Sequence, residues 1–132
     1  MSKRDRPILC YTTSVSTAKT ASEIMGILAR FRARKISQDF DGDGYLTAIA
    51  FQIEVDDQVI SYRLPANPEG VLRTLKRDAE PRYRNMDQAK RVAWRIVRHW
   101  IDAQLAMVES ENSTAEEIFL PYMLAADGTT FI

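Results

Sequence analysis

Apolar positions along the chain switch between two periods, and the switches mark the elements. Residues 8–16 (ILCYTTSVS) are rich in β-branched and aromatic side chains and predict a strand. From residue 18 to 35 the period becomes helical: Ala21, Ile24, Met25, Ile27, Leu28 and Phe31 share one face, with Lys19, Glu23, Arg30 and Arg34 elsewhere. Ser16 or Thr17 can cap this helix. A short strand over 37–40 leads to Asp41-Gly42-Asp43-Gly44, a strong turn signal. Residues 46–55 alternate strictly, with Thr47, Ile49, Phe51, Ile53 and Val55 on one face. Asp56-Asp57-Gln58 turns again, a strand follows over 59–64, and Pro65 ends it. Pro68 opens a helix to about residue 77. A long helix spans 86–110, a short one starts near Thr114 with Ser113 and Glu116 as a capping box, and residues 129–132 can return to the sheet. The pattern predicts one domain over 1–132 with a loose start at 1–7. Its class is α+β, an antiparallel sheet of three to four strands with helices on one side, in the order β-α-β-β-β-α-α.

The long helix carries the most information. Stepping about 100° per residue places Ala89, Ala93, Ile96, Val97, Trp100 and Met107 on one strip, and Trp94, Ile101, Leu105 and Val108 on a second. That apolar arc is wider than one buried stripe requires. The second strip predicts a homo-oligomer through helix 86–110, with the apolar tail 118–124 as the alternative cover. On the remaining arc stand Arg91, Arg95 and Arg98, with Trp94 beside them. Guanidinium forks suit phosphates and an indole can stack on a base. The same arginines can instead pair with Asp87, Asp102 and Glu109 as a solvated surface.

Charge sharpens this picture. The chain is formally neutral, with 18 Lys/Arg and 18 Asp/Glu, yet residues 71–100 hold nine cations against Asp78, Glu80 and Asp87. Arg82, Tyr83 and Arg84 in the loop and Arg63 on the last strand of the meander extend the candidate anion-binding set. Cys10 has no partner for a disulfide, which suits a reducing compartment and a cytoplasmic location. No apolar run is long enough to span a membrane.

Catalytic and metal motifs fail on inspection. Asp39, Asp41, Asp43 and Gly44 match the start of an EF-hand loop, but the twelfth position is Ala50 instead of a bidentate Glu. Lys19-Thr20 lacks the glycines of a phosphate-binding loop. His99 is the sole histidine and falls at the edge of the polar arc. Neither a metal nor another cofactor is expected, and the expectation is a non-enzymatic protein.

Five stretches carry a resemblance. They are Tyr11-Thr12-Thr13 before the helix with Lys19-Thr20 and Glu23-Ile24, Tyr62-Arg63-Leu64-Pro65, residues 92–97 (VAWRIV), residues 100–106 (WIDAQLA), and Phe119-Leu120-Pro121-Tyr122. In these the chain resembles a family of small bacteriophage and prophage proteins. The resemblance implies a phage setting, hence a host cytoplasm, and supplies no catalytic residues. In that setting the basic arc suggests a nucleotide-type anionic ligand, with the protein acting as a sponge for cyclic nucleotide or ADP-ribose signals of host defence. Alternatives are a nucleic-acid-binding accessory protein of replication or recombination, and a module that binds a host protein.

Overall fold

The computed structural model describes residues 7–125 and residue 130. The described elements are α1 (Thr17–Arg30), β1 (Arg34–Phe40), β2 (Leu46–Val55), β3 (Gln58–Pro65), α2 (Pro68–Asp78), a 3₁₀ turn (Pro81–Tyr83), α3 (Met86–Glu109), α4 (Ala115–Phe119) and a second 3₁₀ turn (Leu120–Tyr122). The α+β class, the three-stranded antiparallel sheet in the order β1-β2-β3 and the succession of helices after it are as expected. The loose start at 1–7 lies outside the described residues except for Pro7. The expected final strand lies outside them except for Thr130, which forms an isolated bridge to Leu124.

Two expectations are corrected: the helix expected over residues 18–35 ends at Arg30, with β1 already beginning at Arg34, and the strand expected over residues 8–16 does not form. Residues 8–16 form turns instead of a strand, with Tyr11 N–H bonded to the Ile8 carbonyl and Thr13 N–H to the Cys10 carbonyl. Cys10 sits at φ 65°, outside the extended region that a strand needs. The carbonyls of Tyr11 and Thr13 are taken by a side chain, Gln88, where a strand would offer them to a neighbour.

The described residues fold as two compact units, residues 7–22 with 66–99 and residues 23–65 with those described from 100 onward. In the first, the core is Val71 and Leu75 of α2, Ala79, and Ala89, Val92 and Ala93 of α3, with Ile8, Tyr11, Tyr83, Met86 and Ile96 packed against them. Asn67 caps α2 by accepting the Gly70 N–H at 3.0 Å, and Pro68 supplies the first helical φ. Ser16 caps α1 by accepting the Lys19 N–H.

In the second unit the alternation of β2 decides which face is buried. Ile49, Phe51 and Ile53 stand opposite Leu64, Tyr62 and Ile60 of β3. Phe51 and Tyr62 stack at 5.5 Å, Phe119 of α4 meets both rings, and Trp100 of α3 meets Phe119 edge-on at 6.0 Å. These aromatic rings pack beside a larger aliphatic core that includes Ile24, Leu28, Ile49, Leu64, Ile101 and Leu105. Thr114, not Ser113, caps α4: its Oγ1 accepts the Glu117 N–H, and Glu117 accepts the Thr114 N–H in return. The box is one residue later than expected because Glu117, not Glu116, stands three positions after the cap.

The chain itself covers most of both strips of α3, with Val108 of the second half-buried. Trp94, Ile101 and Leu105 of the second strip are 2% exposed or less, so the surface assigned to a partner is core. On the first strip it is Met107, at 42%, that stays open.

Candidate functional site

The expected ligand residues separate between the two units. Arg63 belongs to the second unit and donates from Nε to Asp39 Oδ2 at 3.1 Å. The other seven lie in the first. Trp94 does not line a binding face. It is 1% exposed and among the largest buried side chains, so no base can stack on it. The helical wheel set it beside the arginines, and packing turned that boundary inward.

The α3 arginines are half-buried and engaged. Arg91 donates from Nε and Nη2 to Gln88 Oε1 at 3.0 and 2.7 Å. Gln88 is buried and in turn donates to the carbonyls of Tyr11 and Thr13, both at 2.9 Å. One side chain thus joins the N-terminal turns to α3 and fixes Arg91. Arg95 donates from Nη1 to the buried Thr20 hydroxyl at 3.4 Å. Its charge also reaches Cys10, whose thiol is pushed up by burial, with the Arg95 guanidinium pulling weakly the other way. Arg98 is half-buried with contacts of its own, and His99 is exposed as expected.

The 3₁₀ turn is better placed. Arg82 and Arg84 are exposed, and the Arg82 guanidinium lies 4.8 Å from the centroid of the Tyr83 ring. Tyr83 meets Tyr11 edge-on, with centroids 5.5 Å apart and planes at 79°. Arg84 donates from Nε to the Ala79 carbonyl at 2.7 Å, and Asn85 Nδ2 donates to the Arg82 carbonyl. Sequence reading missed two contributions. Tyr11 stands in a turn where composition predicts a strand, and Arg73 and Lys76 share an exposed face of α2 with Arg77, which is paired with Asp78 at 3.0 Å. Their spacing of three and four was the available signal.

The unit boundary reveals a charge separation that total charge conceals. Among the described residues, the first unit holds 10 Lys/Arg against 4 Asp/Glu, a formal +6. The second holds 5 cations against 12 acids, a formal −7. A cavity of ≈ 540 Å³ lies in the acidic unit, lined by Phe31, Arg32, Arg34, Ile53, Glu54, Asp56 and Asp57. Arg34 is paired there with Glu54 at 2.9 Å, and a phosphate would meet three carboxylates against Arg32 and this committed guanidinium.

The Asp39–Gly44 segment is a hairpin loop. The Asp41 carboxylate accepts the N–H groups of Asp43 and Tyr45, and Gly44 takes φ 84°. Asp39 is paired with Arg63, so two of the three EF-hand aspartates hold the turn and the sheet. Among the described residues no group of three or more His, Cys, Asp or Glu is placed to hold a metal, and no helix is long and apolar enough to cross a membrane.

No known family model matches the chain, and neither a curated protein nor a solved structure matches it.

Proposed function

We propose that this protein is a non-enzymatic nucleic-acid-binding accessory protein whose basic unit engages the phosphate backbone. The observation that carries the reading is the segregation of +6 and −7, among the described residues, between the two units of a neutral chain. A local field of that size concentrates a polyanion and supplies sequence-independent affinity. The phage resemblance supports a setting in which replication or recombination needs such a protein.

A small nucleotide sequestered in a pocket is the less supported reading. Its stacking residue, Trp94, is core, and the cavity described above is in the acidic unit. The exposed cations Arg73, Lys76, Arg82 and Arg84 are spread over α2 and the following turn, which suits a chain of phosphates.

The test is fluorescence anisotropy with a labelled strand of about 16 nucleotides, titrated at rising salt. Four phosphate contacts on a single strand predict roughly a fifty-fold loss of affinity between 50 and 200 mM salt. The combined Arg73→Ala, Lys76→Ala and Arg82→Ala variant should flatten the log–log salt slope by about 2. Absence of oligonucleotide binding at low salt would overturn the proposal, and a thermal shift with a cyclic dinucleotide alone would restore the sponge.

A further inference from the structure

We propose that Tyr83, backed by Tyr11 and flanked by Arg82, is a base-stacking site, and that the ligand is therefore a single strand. The inference rests on the nucleic-acid reading of the basic unit and adds the strand state and the residues that decide it.

The platform is built before any ligand arrives. Pro81 fixes the backbone at the start of the turn, and the turn closes through Tyr83 N–H to the Glu80 carbonyl at 2.9 Å and Arg84 N–H to the Pro81 carbonyl at 3.1 Å. Asn85 and Arg84 side chains hold the carbonyls of Arg82 and Ala79. Tyr11 is anchored independently, its carbonyl bound by the buried Gln88. The two rings therefore meet between segments whose backbones are already tied down, so little ordering accompanies binding.

The chemistry of the cluster fits one nucleotide of an unpaired strand. The Tyr83 ring is half-buried, its inner part resting on the α2–α3 core and the rest open. Arg82 is exposed and already lies over the ring, so a cation and a π surface are offered within one residue of each other. A guanidinium in that place can pair with a phosphate while a base takes the aromatic face, or carry the base on its own plane. In a duplex the bases are stacked on one another inside the helix, and an aromatic ring at the protein surface gains nothing from them. The ring thus discriminates strand state, while Arg73, Lys76 and Arg84 contribute to both states alike.

The experiment compares three labelled ligands with equal phosphate number on the full chain: a single strand, an abasic strand and a duplex. The expected result is that the single strand binds about tenfold or more tighter than the abasic strand. Tyr83→Ala should erase that ratio while leaving abasic affinity in place, and Tyr83→Phe should preserve it. Tyr83→Leu, which keeps the apolar bulk over the core without the aromatic face, gives the same readout if Tyr83→Ala fails to fold. Equal affinity for the three ligands would overturn the stacking site and leave the basic-face proposal standing. Binding of none of them at low salt would overturn that proposal itself.

Discussion

Arg63 of β3 reaches Asp39 of β1 across the whole width of the central strand. The register makes this possible: Ala50 lies opposite Arg63 and Ala48 opposite Asp39, so the side chains beneath the bridge are methyl groups. Two strand spacings amount to roughly 10 Å, within reach of an arginine and an aspartate laid towards each other. The bridge lies over Ala48, which is 0% exposed although it stands on the face opposite Ile49 and Phe51. Arg63 is thus engaged in an ion pair across the sheet.

Arg63→Met should leave oligonucleotide affinity within about twofold of the parent at physiological salt, where long-range charge effects are screened. Both partners are over a third exposed, at 37% and 42%, so the stability cost should stay below about 1 kcal/mol in chemical denaturation.

Gln88→Leu should be far more harmful. It removes two donors from buried carbonyls and the acceptor that fixes Arg91. The expected loss is about 2–3 kcal/mol, with faster amide exchange across residues 8–16.

Trp94→Ala should cost about 3–5 kcal/mol because it empties a core site. Trp94→Phe should fold and retain the parent's affinity for a single strand. A selective loss of binding in this folded variant would return the indole to the site.

The β2–β3 turn holds Asp56 and Asp57 at φ 50° and 65°, the pair of left-handed residues of a type I′ hairpin. A Cβ at φ above zero is strained, so Asp57→Gly should raise stability by about 0.5–1 kcal/mol, read as a higher melting midpoint.

Cys10 should resist alkylation until the pH passes its ordinary value of 9.0, since burial disfavours the thiolate. The native protein holds the thiol proton more tightly than the unfolded chain. Its contribution to stability is therefore complete below the unfolded value and is lost as pH rises through the folded one. Cys10→Ser should flatten that alkaline decline. Arg95→Met, by removing the nearby cation, should move the alkylation midpoint higher still.

Much of this fold was legible because local patterns and tertiary contacts agree in it. The alternation of residues 46–55 marked β2 to the residue, and Pro68 marked the start of α2. The basic segment was legible as composition. Tyr11 and Trp94 were not. Residues 8–16 have strand composition, yet a strand exists only beside another strand, and here Gln88, 77 positions away from Tyr11, takes the carbonyls instead. Trp94 sits where two arcs of α3 meet, and the width of an apolar arc does not tell which edge is solvent.

The sequence by itself determined the α+β class and the order of the elements from α1 to α4, since these depend on periodicity and on caps and turns within a few residues. It also determined that charge is uneven, because charge is a property of composition. Tertiary structure decided which cations share a unit, which aromatic rings stay open, and that Arg63 and Asp39 serve the sheet. Those outcomes depend on packing between segments far apart in the chain, where one buried glutamine outweighs the β propensity of nine residues.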